Sequence, residues 1–421
     1  MPQSTTAGRG VQRGAYVLAM SLGMVLAGCV PSSPPRTTVP LAADAFADKP
    51  EPLRPLLHRL KVGETRDEVL ARMEVGVLSL YYGDLDTARE QFDLALASIE
   101  TLYADSESAR NARSLWHQEG EKDFKGEPYE RSMVYYYRGL LYLAEDDFDN
   151  AAASFREGVL QDAFAEEEQY RADFALLIFL DGWANQCRGN TSAAQDRYAE
   201  VRKLRPDFVI PQAGKSVLAL AETGRSPRKV ADGIGHGELK FRRGRNFTET
   251  RARLTSGLAD VELYPLEDIF FQASTRGGRP IDSIIAGKVA FRQGAVEVGN
   301  VLSEASRAVT LAAPVFQGGA GQALGGAGAA LGLISATSLV VAANSGTKAD
   351  TRYWGGLPDA VHVAVLNTLP QVERPMSYWD EKPSRVEDNG IDASVRVWGG
   401  KCKLVWGRSR RPEAAPLPKN N

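Results

Sequence analysis

The chain has 421 residues and carries 50 Lys and Arg against 53 Asp and Glu, a formal net charge of -3. That balance gives no electrostatic case for a nucleic-acid partner. Hydrophobic residues at 43% and charged residues at 24% exclude an intrinsically disordered chain, and the length suffices for two or three domains.

Arg9 and Arg13 precede an apolar run from Ala15 to Leu26, which is too short to span a bilayer as a stable helix. Small residues then lead into a cysteine, in Leu26-Ala27-Gly28-Cys29. This segment resembles a bacterial lipoprotein signal. The resemblance implies removal of residues 1–28 and a diacylglycerol plus an N-acyl chain on Cys29; no other cofactor is expected. Acyl chains in that number hold a protein on a membrane far more firmly than one does. In such signals a residue other than Asp after the cysteine, here Val30, implies the periplasmic face of the outer membrane. The alternative is an ordinary secretory signal with a chance cysteine. Residues 29–55, rich in Pro, Ser, Thr and Ala, read as a flexible tether.

Three segments between residues 56 and 223 share a pattern. Gly76, Gly139 and Gly182 each lie in a first helix, and a polar turn follows. Ala88, Ala151 and Ala194 then lie in a second helix, with Phe92, Phe155 and Tyr198 four residues beyond. The glycines and alanines permit close helix approach, and the aromatics are the knobs between them. These positions resemble tetratricopeptide (TPR) repeats, and Pro206 stands where that family places a stop. The spacings, from Gly76 to Gly139 and from Gly139 to Gly182, are longer than the regular repeat. The chain is also similar to uncharacterised TPR-bearing lipoproteins of Gram-negative bacteria. The resemblance implies an irregular TPR-like α-solenoid that binds a protein or peptide on a concave face. The whole chain is expected to be mainly α, with this solenoid followed by a smaller α+β domain that has an antiparallel β-hairpin.

Glu127 to Arg138 is a dense aromatic and charged cluster. Adjacent tyrosines project about 100° apart around a helix, so Tyr135, Tyr136 and Tyr137 cannot all face one core. Packing on the preceding insert is one reading. A partner contact through Tyr135, Tyr136, Arg138 and Tyr142 is the other. Glu166-Glu167-Glu168 reads as the solvated start of a helix.

From residue 224 to 407 the texture changes. Glu238–Arg242 and Asp260–Tyr264 predict strands, and Pro265–Ser274 and Pro280–Ala308 predict helices with proline in the first turn. Arg276-Gly277-Gly278-Arg279 predicts a surface turn. Residues 308–347 contain no charge. That stretch reads as a buried Gly/Ala-rich helix or hairpin, as a membrane-inserted segment, or as a loop leading into one buried helix; burial or self-association is favoured. Ala360–Leu366 alternates as a strand, and Val395–Trp398 with Lys401–Trp406 predicts a hairpin around a Gly399-Gly400 turn. The tail, residues 408–421, predicts disorder, with Arg408, Arg410 and Arg411 available to anionic headgroups or peptidoglycan. Cys187 and Cys402 are expected as free thiols, although an oxidising periplasm permits their pairing.

No catalytic motif stands out. His58, His117, His236 and His362 lack metal-ligand spacing, and no Gly-x-Ser-x-Gly turn occurs. The Gly326-x-Gly328 run lacks the Gly-Lys-Ser/Thr of a phosphate loop. The expectation is a non-enzymatic, membrane-anchored periplasmic adaptor, with protein partners in envelope assembly or export. The alternatives are an oligomeric structural or channel component that uses residues 308–347, and a cell-wall enzyme or its activator.

Overall fold

The computed structural model describes residues 45–62, 65–104, 123–162, 173–211, 214–232, 238–256, 259–275, 350–370, 375–380 and 394–416, and all that follows concerns these. Residues 1–28 with Cys29, Glu166–Glu168, Arg276–Arg279, Pro280–Ala308, residues 308–347, His117 and His236 lie outside them.

A short helix, α1 (Arg54–Val62), precedes three helical hairpins. These are α2 (Glu68–Tyr82) with α3 (Leu85–Ala104), α4 (Pro128–Ala144) with α5 (Phe148–Asp162), and α6 (Ala175–Arg188) with α7 (Thr191–Leu204). Local chemistry sets their ends. Glu127 and Glu130 form a reciprocal capping box around Pro128 at the start of α4. Gly83 and Gly189 end α2 and α6 at φ +82° and +95°, in the left-handed region that glycine tolerates best. Within each hairpin a glycine meets a ring. A Cβ at Gly76 would lie 2.6 Å from Phe92, and one at Gly182 would lie 2.7 Å from Tyr198; Gly139 sits closer still to Phe155. Ala88, Ala151 and Ala194 are buried at the same crossings.

Nine strands follow in two sheets. Strands β2 (Arg228–Asp232) and β3 (Glu238–Arg242) form a separate antiparallel hairpin. The remaining seven are β1 (Val217–Thr223), β4 (Arg251–Ser256), β5 (Ala259–Asp268), β6 (Ala360–Leu366), β7 (Met376–Trp379), β8 (Ser394–Trp398) and β9 (Lys403–Arg408). They form a curled sheet, half a barrel, in the order β7-β4-β5-β6-β1-β9-β8. Its only parallel pair among the described residues is β1 with β9; the others are antiparallel. A last helix, α8 (Ile269–Thr275), leads out of β5 and packs on β3.

The two faces of β1 divide the core. Leu218 and Leu220 join Val361, Val363, Leu404 and Trp406 beneath the helices. Val217, Ala219 and Ala221 face the other way, into a smaller cluster with Ala252, Leu254, Leu263, Met376 and Tyr378. Small residues on β1 and β4 let the curled sheet close over itself, and alternation along each strand sorts the side chains.

Several expectations are corrected. The protein is not a mainly α TPR-like solenoid: 48% of the described residues are helical and 22% are strand, and the helices rest on a seven-stranded mixed sheet. In an open array the inner face of the first helices is free. Here the sheet and the segment around Trp354 cover it, with β9 against α4 and β5 against α6, so α2, α4 and α6 are buried along nearly their whole length. Helices buried nearly all round belong inside a larger core, and the polar residues they carry there, such as Glu130, Arg131 and Asp181, are hydrogen-bonded. The expected boundary between residues 223 and 224 falls at the end of β1, in the middle of the sheet, and residues 46–421 form one unit.

The expected tether, residues 29–55, overlaps the fold. Leu53 is buried, and Lys49 Nζ donates to Asp84 Oδ2 at 2.9 Å and Thr87 Oγ1 at 2.8 Å. Pro265 lies in β5, not at a helix start, beside a register shift that accommodates a residue without an N–H. The β8–β9 turn is longer than the Gly399-Gly400 pair, because Trp398 pairs with Leu404. Asp146, in the α4–α5 turn, accepts the Gly400 and Lys401 N–H groups at 2.9–3.2 Å and holds that loop open.

Cys187 and Cys402 are not free thiols. They form a disulfide with a Cα–Cα distance of 6.0 Å that ties the end of α6 to the same loop. Nor is the start of the tail disordered. Arg408, Ser409, Arg410 and Ala415 are buried, because carboxylates inside the fold hold the arginines.

Candidate functional site

The most concentrated polar chemistry lies where α4 crosses β1 and β9. In parallel register Leu218 pairs with Leu404, Leu220 with Trp406 and Glu222 with Arg408. All six side chains point to the helix side, so the two greasy pairs are followed by one charged pair in the same stripe. Helix α4 brings Tyr136 and Tyr137 onto it.

Glu222 is fully buried. Its Oε1 accepts from Tyr136 OH at 3.1 Å and Trp406 Nε1 at 2.9 Å. Its Oε2 accepts from Tyr137 OH at 2.9 Å and Arg408 Nη1 at 2.9 Å. Arg408 is used up in turn: Nη2 donates to Gly356 O at 2.6 Å and Nε to Arg410 O at 3.0 Å. Burial, and next the Glu222 charge, push both tyrosine hydroxyls well above their ordinary range, so they remain protonated donors. A carboxylate has about four lone-pair sites, and here four donors fill them. The arrangement works as a clasp between helix and sheet.

Two further buried carboxylate clusters flank it. At the start of α4, Lys229 from β2 pairs with Glu127 at 2.8 Å and Glu130 at 3.4 Å, and Trp354 N donates to Glu130 Oε1 at 2.7 Å. Burial pushes the Glu130 carboxyl up, against the pull of Lys229. Beyond β9, Arg410 grips Glu249 with two bonds, at 2.6 Å and 2.7 Å, and Ser409 adds a third at 2.9 Å. Burial raises the Glu249 carboxyl, but these bonds outweigh it and leave it below the ordinary range.

A different balance holds at Glu267, at the end of β5. It accepts from Leu176 N at 3.2 Å, Gln272 Nε2 at 2.8 Å and Arg205 Nη2 at 3.3 Å. Burial dominates there and pushes its carboxyl up to about 7. Burial likewise lowers His362 to about 4; its Nε2 lies 2.9 Å from Thr223 Oγ1.

Of the residues expected to meet a partner, the structure uses Tyr136 inside the clasp, where no partner reaches it. Tyr135 is buried except at its hydroxyl end, which donates to Glu100 at 3.0 Å. Arg138 pairs with Asp93 at 2.5 Å and lies 3.7 Å over the half-buried Tyr142 ring. The packing residues Gly76, Ala88, Phe92, Gly139, Ala151, Phe155, Gly182, Ala194 and Tyr198 all sit inside their hairpins.

Glu222 and Glu249 were not marked in the sequence, and Arg408 and Arg410 were expected in a disordered tail facing anionic headgroups or peptidoglycan rather than on these buried carboxylates. A signal was present for Glu222 and Arg408. Glu222 closes the apolar run Val217–Ala221, and Arg408 continues the Leu404, Trp406 alternation by one step. No comparable pattern marks Glu249. Among the described residues no group of three or more His, Cys, Asp or Glu is placed to hold a metal ion, and no helix is long and apolar enough to cross a membrane. No protein-family model matches the chain, and no curated protein or solved structure was found to be similar to it.

Proposed function

We propose that the chain is a lipoprotein of the bacterial envelope, acylated at Cys29 on the periplasmic face of the outer membrane, whose folded body serves as an adaptor for an envelope protein. The observation that carries this reading is the Cys187–Cys402 disulfide. Disulfides persist in oxidising compartments such as the periplasm and are rare in the cytosol. The chain has three cysteines, and the third is Cys29, behind the apolar run Ala15–Leu26 and the small pair Ala27-Gly28. Pairing of the other two supports an exported chain, and the position of the third supports acylation.

The partner surface is the outer layer α3, α5 and α7, since the sheet covers α2, α4 and α6. Leu94 on α3 and Leu160 on α5 are exposed there.

Mass analysis of the N-terminal peptide from envelope fractions tests the anchor. The expected result is diacylglycerol and an acyl chain on Cys29, with loss of membrane association in Cys29→Ala. A cytosolic chain with its leader intact would refute it. Photocrosslinking in intact cells from Leu94 and Leu160 tests the adaptor role, which fails if no partner is recovered in stoichiometric amount.

A further inference from the structure

The sequence from Arg225 to Arg253 holds nine Lys and Arg against three Asp and Glu, in a chain whose overall balance is slightly acidic. Carboxylates answer most of these cations. Lys229 pairs with Glu127 and Glu130, Arg225 with Glu413, Arg243 with Asp268 and Asp359, and Arg251 and Arg253 with Glu262. Arg228, Arg242 and Arg245 have no such pair among the described residues.

The β2–β3 register shows how they are presented. Lys229 lies opposite Phe241, and both face inward: Lys229 is buried, and Phe241 meets the Tyr129 ring at 6.1 Å. The opposite face therefore carries Arg228 directly across from Arg242, and Val230 across from Lys240. Arg242 and Arg245 are exposed. Like charges directly opposite on a hairpin destabilise it, and a bound anion relieves that. The acidic pair Asp232 and Glu238 closes the far end of the hairpin, four residues away. Four residues of strand separate the two backbone positions by roughly 13 Å.

We propose that this outward face binds the anionic headgroups of a phospholipid membrane. One feature favours a membrane over another polyanion. Helix α8, packed against β3, leaves Phe271 38% exposed beside the basic hairpin, and an aromatic next to cations suits a headgroup boundary. The proposal deepens the anchored-lipoprotein reading, yet it is tested without the anchor.

The test is co-sedimentation of the full chain carrying Cys29→Ala with phosphatidylcholine vesicles, made with and without phosphatidylglycerol. Binding is expected only to the anionic vesicles and is expected to fall as salt is raised. The substitutions Arg228→Gln, Arg242→Gln and Arg245→Gln together should weaken it by on the order of 100-fold, at about five-fold per surface cation. A charge-matched control, Lys61→Gln, Arg202→Gln and Lys203→Gln, alters exposed residues elsewhere and should bind as the parent does. Equal binding of the parent to neutral and anionic vesicles would overturn the proposal, whether or not the triple variant folds. So would undiminished binding by the folded triple variant, or capture of soluble polyphosphate without any vesicle binding. Because the acyl site is removed throughout, failure of the anchor reading leaves this result unaffected.

Discussion

Replacing Glu222 by Gln keeps the side-chain shape and removes its charge at the helix–sheet clasp. Tyr136 and Trp406 donate to one carboxylate oxygen, Tyr137 and Arg408 to the other. Whichever way the amide is turned, its NH2 group meets one of these pairs. A tyrosine hydroxyl can rotate and accept, but the Trp406 indole and the Arg408 guanidinium can only donate. One donor-against-donor contact therefore persists in a fully buried site, and Arg408 loses its counter-charge. An unsatisfied buried polar group costs about 1–3 kcal/mol, and removing one partner of a buried ion pair costs about 3–5 kcal/mol. These costs overlap, so the expected loss is about 4 kcal/mol, a large part of the roughly 5–15 kcal/mol that holds a typical domain. Urea unfolding followed by tryptophan fluorescence reads it directly, because Trp183, Trp354 and Trp406 are buried. Replacing both members, Glu222→Leu with Arg408→Met, should recover part of the loss, since no unpaired charge remains. A Glu222→Gln variant within about 1 kcal/mol of the parent would refute the clasp.

Three further outcomes are expected. Replacing Cys187 and Cys402 by Ser opens a link with a sequence separation of 215 residues, which loop entropy values at roughly 5 kcal/mol; a urea midpoint unchanged between the parent and the double variant would contradict this. Gly139→Ala drives a methyl into the Phe155 ring and should cost about 1–3 kcal/mol, partly restored by Phe155→Leu, as thermal unfolding of the single and double variants will show. Glu267 has a folded-state value of about 7 against an ordinary 4.5, so the folded state binds its proton more tightly than the unfolded chain does. Its charge therefore costs stability increasingly from pH 4.5 to about 7, and the cost is constant above that. Stability of the parent relative to Glu267→Gln should accordingly fall by up to about 3 kcal/mol across that window. A flat difference would show that Arg205 and Gln272 fully compensate the charge.

The helical hairpins were legible because close packing leaves a mark in sequence: a glycine opposite a ring, at Gly76 with Phe92 and at Gly182 with Tyr198, has few alternatives. Their setting was harder to read. The pattern says that two helices touch; it does not say what covers their other side. The clue lay in Glu68–Tyr82, where polar residues are too few for a solvated face. Strands β1 and β7 are short and lack a turn signal to pair them, since their partners lie far along the chain. The clasp depends on register between strands more than 180 residues apart, as the Trp406–Glu222 bond illustrates. Periodicity within one segment cannot encode that. The same limit hid the disulfide, because proximity of Cys187 to Cys402 follows only once the β8–β9 loop is laid across the end of α6.

Strand β9 is the last of the described strands, yet it lies between β1 and β8 rather than at a margin. A polypeptide emerging N-terminus first, from a ribosome or a translocation pore, thus has all its helices before it has the strand that completes their floor. Until residues 403–410 arrive, one side of β1 lacks its parallel neighbour, and Glu222 and Glu249 lack their arginines. The apolar floor of the helices therefore stays incomplete until that segment has emerged, and a partly made chain exposes it.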